Sequence, residues 1–377
     1  MRKRIYAGCI FIAMAMMMTA CGQGNANEGT TKEATTAESV AGTEEVTVAD
    51  EATTDEATTE EAADGSVTAA SQITVEGGKE TVISEAGSYT VQGTAEDAVL
   101  TVDVGDDDDV TITLSGLTVT NTVKPVIYVK NADEVTIVSE GENVLATTGT
   151  FEADGDENTD AVIYSKDDIT LAGTGSLTIT STDRGISSND SLLVESGTYV
   201  ITAASDALRA NEDLTIEDGT LTLTAEECIE ATVITVNGGT ISIAATDDGI
   251  NASAKSDELS PSFTLNGGEV TIEMGAGDTD GVDSNGDIYI KGGTISVNGQ
   301  SAFDYDGKAE FTGGTIIQNG QEVDTITNQF GGGPGGAGPG AFGGEDFGGE
   351  GFGGMQPGGG RMPRGDMQFD PNAENPQ

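Results

Sequence analysis

Hydrophobic and polar residues alternate one by one along much of the chain between residues 97 and 320. In residues 214–224 the alternation runs on both sides of Gly219, and residues 233–243 follow the same pattern around a Gly-Gly pair. A period of two that is rich in valine, isoleucine and threonine is typical of half-buried β-strands. Apolar residues at helical spacing are not found in this region. The pattern therefore predicts an all-β domain of short strands.

The alternating segments recur with a period of about 21 residues, as in proteins built from stacked repeats. Each copy contains an Asp-rich bend, an apolar anchor residue, a strand, a glycine-containing corner such as Gly292-Gly293-Thr294, and a second strand. Glycine at the corner suits a backbone that needs a positive φ or a close approach. The predicted anchors are Leu100, Ile127, Ile163, Ile186, Leu208, Ile229, Ile250, Val282 and Phe303.

A repeat of this length cannot bury a core alone, so its copies must stack. Two or three short strands per turn, stacked in parallel, form a parallel β-helix of about nine turns and about 43 Å. Parallel crossovers are almost always right-handed, which predicts a right-handed helix. A leucine-rich repeat would need columns of Leu and Asn that this chain lacks, and a β-sandwich would not explain the constant repeat length.

The chain begins with a basic segment, continues with an apolar run over residues 5–18, and then reads Thr19-Ala20-Cys21-Gly22. This order is typical of a secretory signal with a lipoprotein cleavage box. We expect residues 1–20 to be removed and Cys21 to carry the lipid that anchors the protein to the extracellular face of the bacterial cell membrane. The alternative is an ordinary signal peptide with an incidental cysteine. The apolar run is too short to be a typical membrane-spanning helix.

Composition divides the rest of the chain. Residues 21–70 are rich in Thr, Glu, Ala, Gly and Asp and contain no aromatic residue, which predicts an acidic, disordered linker. Residues 71–96 are strand-like but lack the repeat, and we interpret them as an N-terminal cap. Residues 97–328 form the predicted β-helix. Residues 329–377 repeat Phe-Gly-Gly in a glycine background, which predicts a disordered tail.

The formal net charge of the chain is −50, and the chain contains no histidine. Such a charge opposes binding to nucleic acid or to an anionic membrane surface, so we expect neither partner, and we expect a monomer. Without a histidine to activate it, Cys228 is not expected to act as a catalytic thiol and is interpreted as a small buried residue.

Acidic residues recur at fixed positions relative to the anchors. Stacked turns bring such residues within about 5 Å of one another. Like carboxylates at that distance repel unless a cation lies between them, and calcium is the natural extracellular cation for oxygen ligands. The positions lie three residues before the anchor (Asp97, Asp160, Asp183, Glu226, Asp247), two before it (Asp206, Glu227, Asp248, Asp280) and one after it (Glu230, Asp283, Asp304).

Two loops sharpen the prediction of bound Ca²⁺. The first is similar to a calcium loop with alternating oxygen ligands, although it lacks the glycine and the glutamate that complete an EF-hand. The second places acidic residues around a Thr-Asp-Gly-Val bend. For both loops the alternative is a solvated acidic turn. The predicted ligands are Asp154, Asp156, Asn158 and Asp160 in the first loop and Asp278, Asp280 and Asp283 in the second.

Several copies of the repeat resemble a known family. The segments 165–169, 247–251, 279–294 and 303–307 look like the bacterial "carbohydrate-binding domain-containing" family, and the resemblance covers roughly residues 75–320. It implies a right-handed parallel β-helix similar to pectate lyases, bound calcium, and binding of plant cell-wall polysaccharides such as cellulose and polygalacturonate.

We therefore expect a surface polysaccharide-binding lipoprotein without catalytic activity. The candidate carbohydrate-binding residues are Arg184, Arg209, Tyr128 and Tyr164. The two tyrosines occupy equivalent positions one turn apart, where they form either a stacking strip for sugars or a buried ladder. The two arginines either contact sugar or compensate neighbouring acids. The open alternatives are a calcium-dependent polysaccharide lyase on the same fold, which would need an Arg or Lys base, a glycoside hydrolase, and an adhesin.

Overall fold

The computed structural model describes residues 70–256, 258–276 and 279–329, and these residues form β-strands without a helix. The first ten strands are β1 (Ser71–Thr74), β2 (Glu80–Ile83), β3 (Gly87–Glu96), β4 (Val99–Asp103), β5 (Val110–Asn121), β6 (Ile127–Asn131), β7 (Glu134–Glu140), β8 (Glu142–Thr147), β9 (Ala161–Ser165) and β10 (Asp168–Gly173). The next ten are β11 (Ser176–Ser181), β12 (Arg184–Ser188), β13 (Leu192–Val194), β14 (Thr198–Thr202), β15 (Asp206–Ala210), β16 (Asp213–Ile216), β17 (Thr220–Ala225), β18 (Glu227–Ala231), β19 (Val233–Val236) and β20 (Thr240–Ala245). The last ten are β21 (Ile250–Ala252), β22 (Ser262–Leu265), β23 (Glu269–Met274), β24 (Asp280–Ser284), β25 (Asp287–Ile290), β26 (Thr294–Asn298), β27 (Ser301–Tyr305), β28 (Ala309–Phe311), β29 (Thr315–Gln318) and β30 (Gln321–Val323).

The strands stack in parallel on three faces of a solenoid, which confirms the predicted parallel β-helix. The anchor face is a sheet of ten strands: β2, β4, β6, β9, β12, β15, β18, β21, β24 and β27. The second face starts with β1 and the first halves of β3 and β5, and continues through β7, β10, β13, β16, β19, β22, β25 and β28. The third face starts with the second halves of β3 and β5, and continues through β8, β11, β14, β17, β20, β23, β26 and β29.

The nine predicted anchors pair directly with one another along the anchor face, from Leu100 on β4 to Phe303 on β27. A tenth rung precedes them, because Thr81 on β2 pairs in parallel with Leu100. The residues that we interpreted as an N-terminal cap thus form the first turn of the solenoid. Their alternation was visible in the sequence, but they lack the Asp-Gly bend that marks the later copies.

One continuous hydrophobic core fills the space between the three faces. The anchors point into it, and bulky side chains such as Tyr199 and Phe263 are fully buried there. The residue before each anchor is small where the turns pack most tightly. A Cβ atom on Gly281 would lie 2.4 Å from Cγ1 of Val297. Cys228 occupies the same position in its turn and is completely buried, as predicted.

The corner between the second and third faces explains the recurrent Gly-Gly pair. At Gly238 a Cβ atom would lie 2.4 Å from the carbonyl oxygen of Glu217 in the turn below. Gly239 has a φ of 85°, a conformation that costs other L-residues energy. The first glycine of the pair is therefore required by the close approach of the neighbouring turn, and the second is required by its positive φ.

The last turn is closed by the segment that follows it. Strand β30 turns back and pairs antiparallel with β29, and the backbone N–H of Gln329 donates a hydrogen bond of 2.9 Å to the carbonyl oxygen of Phe303. These contacts cover part of the final edge, which otherwise would invite pairing with another chain. A search of the described residues for a helix long and apolar enough to cross a membrane found none.

The anchor column gives a direct test of the fold. Replacing Ile186, which is fully buried, by alanine should lower the free energy of unfolding by about 2–5 kcal/mol, because the cavity cannot collapse between two stacked neighbours. The matched control is Val200→Ala on the third face, where the side chain is 39% exposed and the loss should stay within about 0.5 kcal/mol. Urea unfolding followed by circular dichroism measures both. Equal losses in the two variants would contradict the assigned register.

Candidate functional site

The cationic side chains of the described residues are gathered on one side of the solenoid. Eight of the nine lie in an anchor-face strand or within three residues of one. Seven of these stand apart from Tyr289, and the eighth, Lys308, lies with the ninth, Lys291, over the ring of Tyr289 on the second face. In a strongly acidic protein this distribution singles out the anchor face as the place where charges of both signs meet. The seven are Lys79, Lys124, Lys130, Lys166, Arg184, Arg209 and Lys255.

Three carboxylates converge on the outer side of this face. Asp206 on β15 pairs with Glu227 on β18, and Glu230 lies one residue beyond the anchor of the same strand. One oxygen of each lies within 4.8 Å of the other two. In the part of the chain that the structure describes, no other group of three acidic side chains converges in this way. We call Asp206, Glu227 and Glu230 the carboxylate cluster.

Basic side chains surround the carboxylate cluster and hold it in place. The guanidinium of Arg184 bridges Asp160 in the turn before and Asp206 in the turn after, with Nε 2.5 Å from Oδ2 of Asp206. Nε of Arg209 lies 3.1 Å from Oε2 of Glu230. The ammonium group of Lys255, from the loop after β21, contacts the other oxygen of Glu230. The two predicted arginines thus act in this structure as partners of stacked acids.

The cationic partners do not neutralise the whole group. Burial, first, and then the nearby charge of Glu230 raise the pKa of Glu227 to about 7. Burial also raises the pKa of Asp206, against the hydrogen bond from Arg184 that lowers it. Burial alone would lower the pKa of the Arg184 guanidinium, but its hydrogen bonds to Asp206 and Asp160 raise it above its usual value. Arg184 is therefore permanently charged and already engaged.

The donor set fits a hard divalent cation. Five carboxylates face three cationic side chains, which leaves an excess of negative charge: Asp160, Asp183, Asp206, Glu227 and Glu230 against Arg184, Arg209 and Lys255. Asn251 in the next turn is only 9% exposed and donates a 2.9 Å hydrogen bond to Glu227. Its Oδ1 atom is buried and lacks a hydrogen-bond partner. Carboxylate and amide oxygens are the ligands that calcium takes in proteins.

A second acidic stretch continues along the same face. Burial raises the pKa of Asp248 to about 7, with further contributions from Asp283 and Asp247. Burial and the charges of Asp304 and Asp280 raise the pKa of Asp283 to about 6. The predicted ligands Asp280 and Asp283 both lie on β24, where they join Asp248 from the turn before. The third predicted ligand of this loop, Asp278, lies outside the described residues.

The other predicted calcium loop does not assemble a site in this structure. Asp154 pairs with Lys130 at 3.0 Å and forms reciprocal backbone hydrogen bonds with Glu157 in a tight turn. Asp156 is exposed. Asn158 donates a hydrogen bond to Asp160, and the carboxylate of Asp160 forms an ion pair with Arg184. The four side chains thus do not converge on one point, because the loop folds as a tight turn.

The two predicted tyrosines form a buried ladder and present no open ring face. Tyr128 and Tyr164 pack edge to face with centroids 5.8 Å apart, and they are 7% and 3% exposed. The hydroxyl of Tyr164 donates a 2.5 Å hydrogen bond to Glu157 of the loop that covers it. Beside Tyr128 lies a cavity of about 220 Å³ that Lys124 and Lys130 also line. Sugar contact at this end would involve the cavity wall and not a stacking strip.

Sequence reasoning had placed each member of the carboxylate cluster in an acidic column but had not combined them into one site. The sequence signal for combining them is that acidic residues occupy the position two residues before the anchor in adjacent turns, together with the position one residue after the anchor in the second of these turns. Lys255 was missed because it lies in the insertion after β21, whose path the repeat does not determine. The insertion carries its ammonium group back over Glu230.

Comparison with known proteins agrees with this architecture. A family model for carbohydrate-binding domain-containing proteins matches residues 78–324. A curated carbohydrate-binding domain-containing protein from Acetivibrio thermocellus is 37% identical over 118 residues, which are 30% of this chain and 41% of the relative's length. A solved structure, described as the polysaccharide lyase-like protein from C. thermocellum in a gadolinium derivative, aligns with a TM-score of 0.50 and 25% identity. The alignment covers 66% of this chain and 96% of that one.

The raised carboxyl pKa values predict an unusual dependence of stability on pH. Glu227, Asp248 and Asp283 bind protons more tightly in the folded state than in the unfolded state. Their stabilising contribution is therefore complete below the unfolded pKa of about 4 and is lost as pH rises through 6–7. In a chelating buffer the melting temperature should fall between about pH 5 and about pH 8.

Glu227→Gln and Asp248→Asn should each flatten this profile, because each removes one titrating group. The control is Glu269→Gln on the exposed third face, which should keep the wild-type slope. Differential scanning calorimetry at several pH values makes the comparison. A melting temperature that is constant or rises over this range in the chelated wild type would show that the acids are compensated in another way.

Proposed function

We propose, because this chain belongs to the carbohydrate-binding domain-containing protein family, that it is a calcium-dependent polysaccharide-binding lipoprotein of the bacterial cell surface. It binds plant cell-wall glycans such as cellulose or polygalacturonate without cleaving them. The family membership and the polysaccharide lyase-like neighbour support a polysaccharide as the partner.

The carboxylate cluster is the observation that carries the calcium part of the proposal. Asp206, Glu227 and Glu230 would hold the ion, with the free amide oxygen of Asn251 nearby. Bound calcium supplies positive charge that attracts the carboxylates of an acidic sugar polymer. The chain's own lysines and arginines along the anchor face provide further positive charge. They also orient the acids, since Arg184 and Arg209 each hold a carboxylate of the cluster.

The rod-like stack suits a polymeric ligand. Successive turns repeat the same outward positions at about 4.8 Å, so neighbouring sugar units of an extended chain meet equivalent positions of the solenoid. The anchor face carries the cavity beside Tyr128 near its first turns and the carboxylate cluster further along. A glycan lying along the anchor face would touch both.

We propose surface attachment from the signal-like residues at the start of the sequence. Cys21 would carry the lipid and residues 22–69 would keep the solenoid away from the membrane, although both lie outside the described residues. We propose the extracellular face of the cell membrane as the location and a monomer as the state, because the net charge of −50 makes copies repel one another.

A polysaccharide lyase remains the second candidate, because the structure places Lys255 and Arg209 against the carboxylate cluster. In β-elimination a base removes the proton from the carbon beside the uronate carboxylate, a double bond forms and the glycosidic C–O bond breaks. The bound cation would acidify that proton. Arg184 does not suit the role of the base, since its two acidic partners hold its proton more tightly than usual.

Retention on insoluble polymer tests the proposed function. The purified protein should be retained on cross-linked polygalacturonate in calcium and released by EGTA. The double variant Glu227→Gln/Glu230→Gln should lose the calcium response, with at least about tenfold weaker retention, because two of three oxygen ligands lose their charge. Glu269→Gln is the control and should behave as wild type. Retention that is equal with calcium and with EGTA would contradict a calcium-dependent site.

The lyase candidate predicts a different readout in the same samples. Absorbance of unsaturated products should stay flat over hours if the protein only binds. A rise that Lys255→Met abolishes while retention persists would make the protein an enzyme with Lys255 as its base. A rise that survives this substitution would assign the base to another residue, and Arg209→Met is then the variant to compare.

A further inference from the structure

The third face of the solenoid carries a patch without charge, although the protein as a whole is strongly acidic. The outward side chains of β11, β14, β17 and β20 are all neutral, and ten of the twelve bear a hydroxyl group. Along the stack the nearest acidic residues on this face are Glu142 on β8 and Glu269 and Glu273 on β23, and the exposed Asp218 and Glu226 lie just beyond the two ends of β17. The members of this neutral patch are Ser176, Thr178, Thr180, Thr198, Val200, Thr202, Thr220, Thr222, Thr224, Thr240, Ser242 and Ala244.

The neutral patch is a regular grid. Its four strands and the adjoining β8 pair in parallel without a shift of register. Neighbouring strands lie about 4.8 Å apart, and outward residues of one strand repeat every 6.6 Å or so. The outward side chains thus form three straight columns, for example Thr178, Val200, Thr222 and Ser242 in the middle one.

The side chains of the grid are available to a partner. In the described part of the chain none of the ten hydroxyl groups takes part in a side-chain hydrogen bond to another protein group. Two of the three large hydrophobic side chains that are exposed on the described residues lie in the middle column, Val144 at 42% and Val200 at 39%. The grid therefore offers methyl groups and free hydroxyls side by side on a rigid support.

The size and charge of the grid decide between possible occupants. The four strands and three columns of the neutral patch span about 14 Å by 13 Å, or roughly 190 Å². A stable protein interface buries about 800 Å² on each partner, so the neutral patch alone does not suit a second copy, which the net charge also repels. A polymer surface that is flat, uncharged and repeats at short intervals can be bound through a smaller area of the protein. Many weak contacts add up there, because the protein groups are already held in a rigid arrangement.

We propose that the neutral patch is a binding surface for an uncharged, insoluble polysaccharide, separate from the carboxylate cluster on the anchor face. Threonine supplies a methyl group to the C–H face of a sugar ring and a hydroxyl to its polar edge. This inference rests on the proposed function and divides it: the acidic glycan binds on the anchor face with calcium, and the neutral glycan binds on the third face without it.

The test is a depletion isotherm of the full chain on microcrystalline cellulose in EGTA, beside calcium-dependent retention on polygalacturonate. Val200→Glu should weaken retention on cellulose at least about tenfold, because a charge in the middle column must lose water against a neutral surface. Its retention on polygalacturonate should not change. The matched control is Thr235→Glu, which adds the same charge to an outward position of the second face and should leave both polymers bound.

Five results would overturn the inference. Unchanged retention of Val200→Glu on cellulose would show that the neutral patch does not bind cellulose. An equal loss of retention in Thr235→Glu would show that the added charge alone causes the loss in Val200→Glu, wherever it is placed. A wild-type dimer that Val200→Glu converts to a monomer, with cellulose still bound, would make the neutral patch a contact between copies. Wild type that binds polygalacturonate but not cellulose overturns this inference and leaves the proposed function standing, whereas failure on both polymers overturns both.

Discussion

Parallel stacking in register is the constraint on which the rest of this structure depends. The anchors from Leu100 to Phe303 lie directly over one another because each turn must bury its apolar side against the next. Once that register is set, every outward position also becomes a column. Side chains that are far apart in the sequence, such as Asp206 and Glu227, are forced to within a few ångström whether or not their charges agree.

The protein manages the resulting repulsion in three ways along one face. Around the carboxylate cluster it interleaves cations, with Arg184 between Asp160 and Asp206. In the following turn it places an amide, Asn251, against Glu227. Beyond that point the acids Asp248 and Asp283 face further acids, and their raised pKa values express the cost of keeping them charged. The balance thus shifts along the rod from paired charge to uncompensated charge.

The sequence predicted the fold well because period-two alternation and the repeat length are local signals that stacking preserves. The anchor register and the corner glycines follow from it directly. The first turn was missed as a turn, since it pairs through β2 without the Asp-Gly bend of the later copies.

The details of the site were less predictable, because they depend on the insertions. Whether Tyr128 and Tyr164 would be exposed was decided by the loop before β9, which folds over the second ring through Glu157. The alternating acids of that same loop suggested one calcium site, but Lys130 and Arg184 divide them. The loop after β21 likewise brings Lys255 to Glu230 over a distance that no pattern in the sequence encodes.

A proton and a divalent cation are alternative solutions to the same electrostatic problem on the anchor face. Glu227 has its pKa near 7 because burial and Glu230 disfavour its charge, and both causes would be offset by a cation among the same oxygens. A cation that binds there must displace that proton, so its affinity has to rise with pH over the range in which the chelated fold loses stability. The third face has no part in this exchange, since its outward columns from β11 to β20 carry no titrating group. One stacking rule therefore produces two surfaces, one whose charge state changes with pH and one whose outward side chains do not titrate.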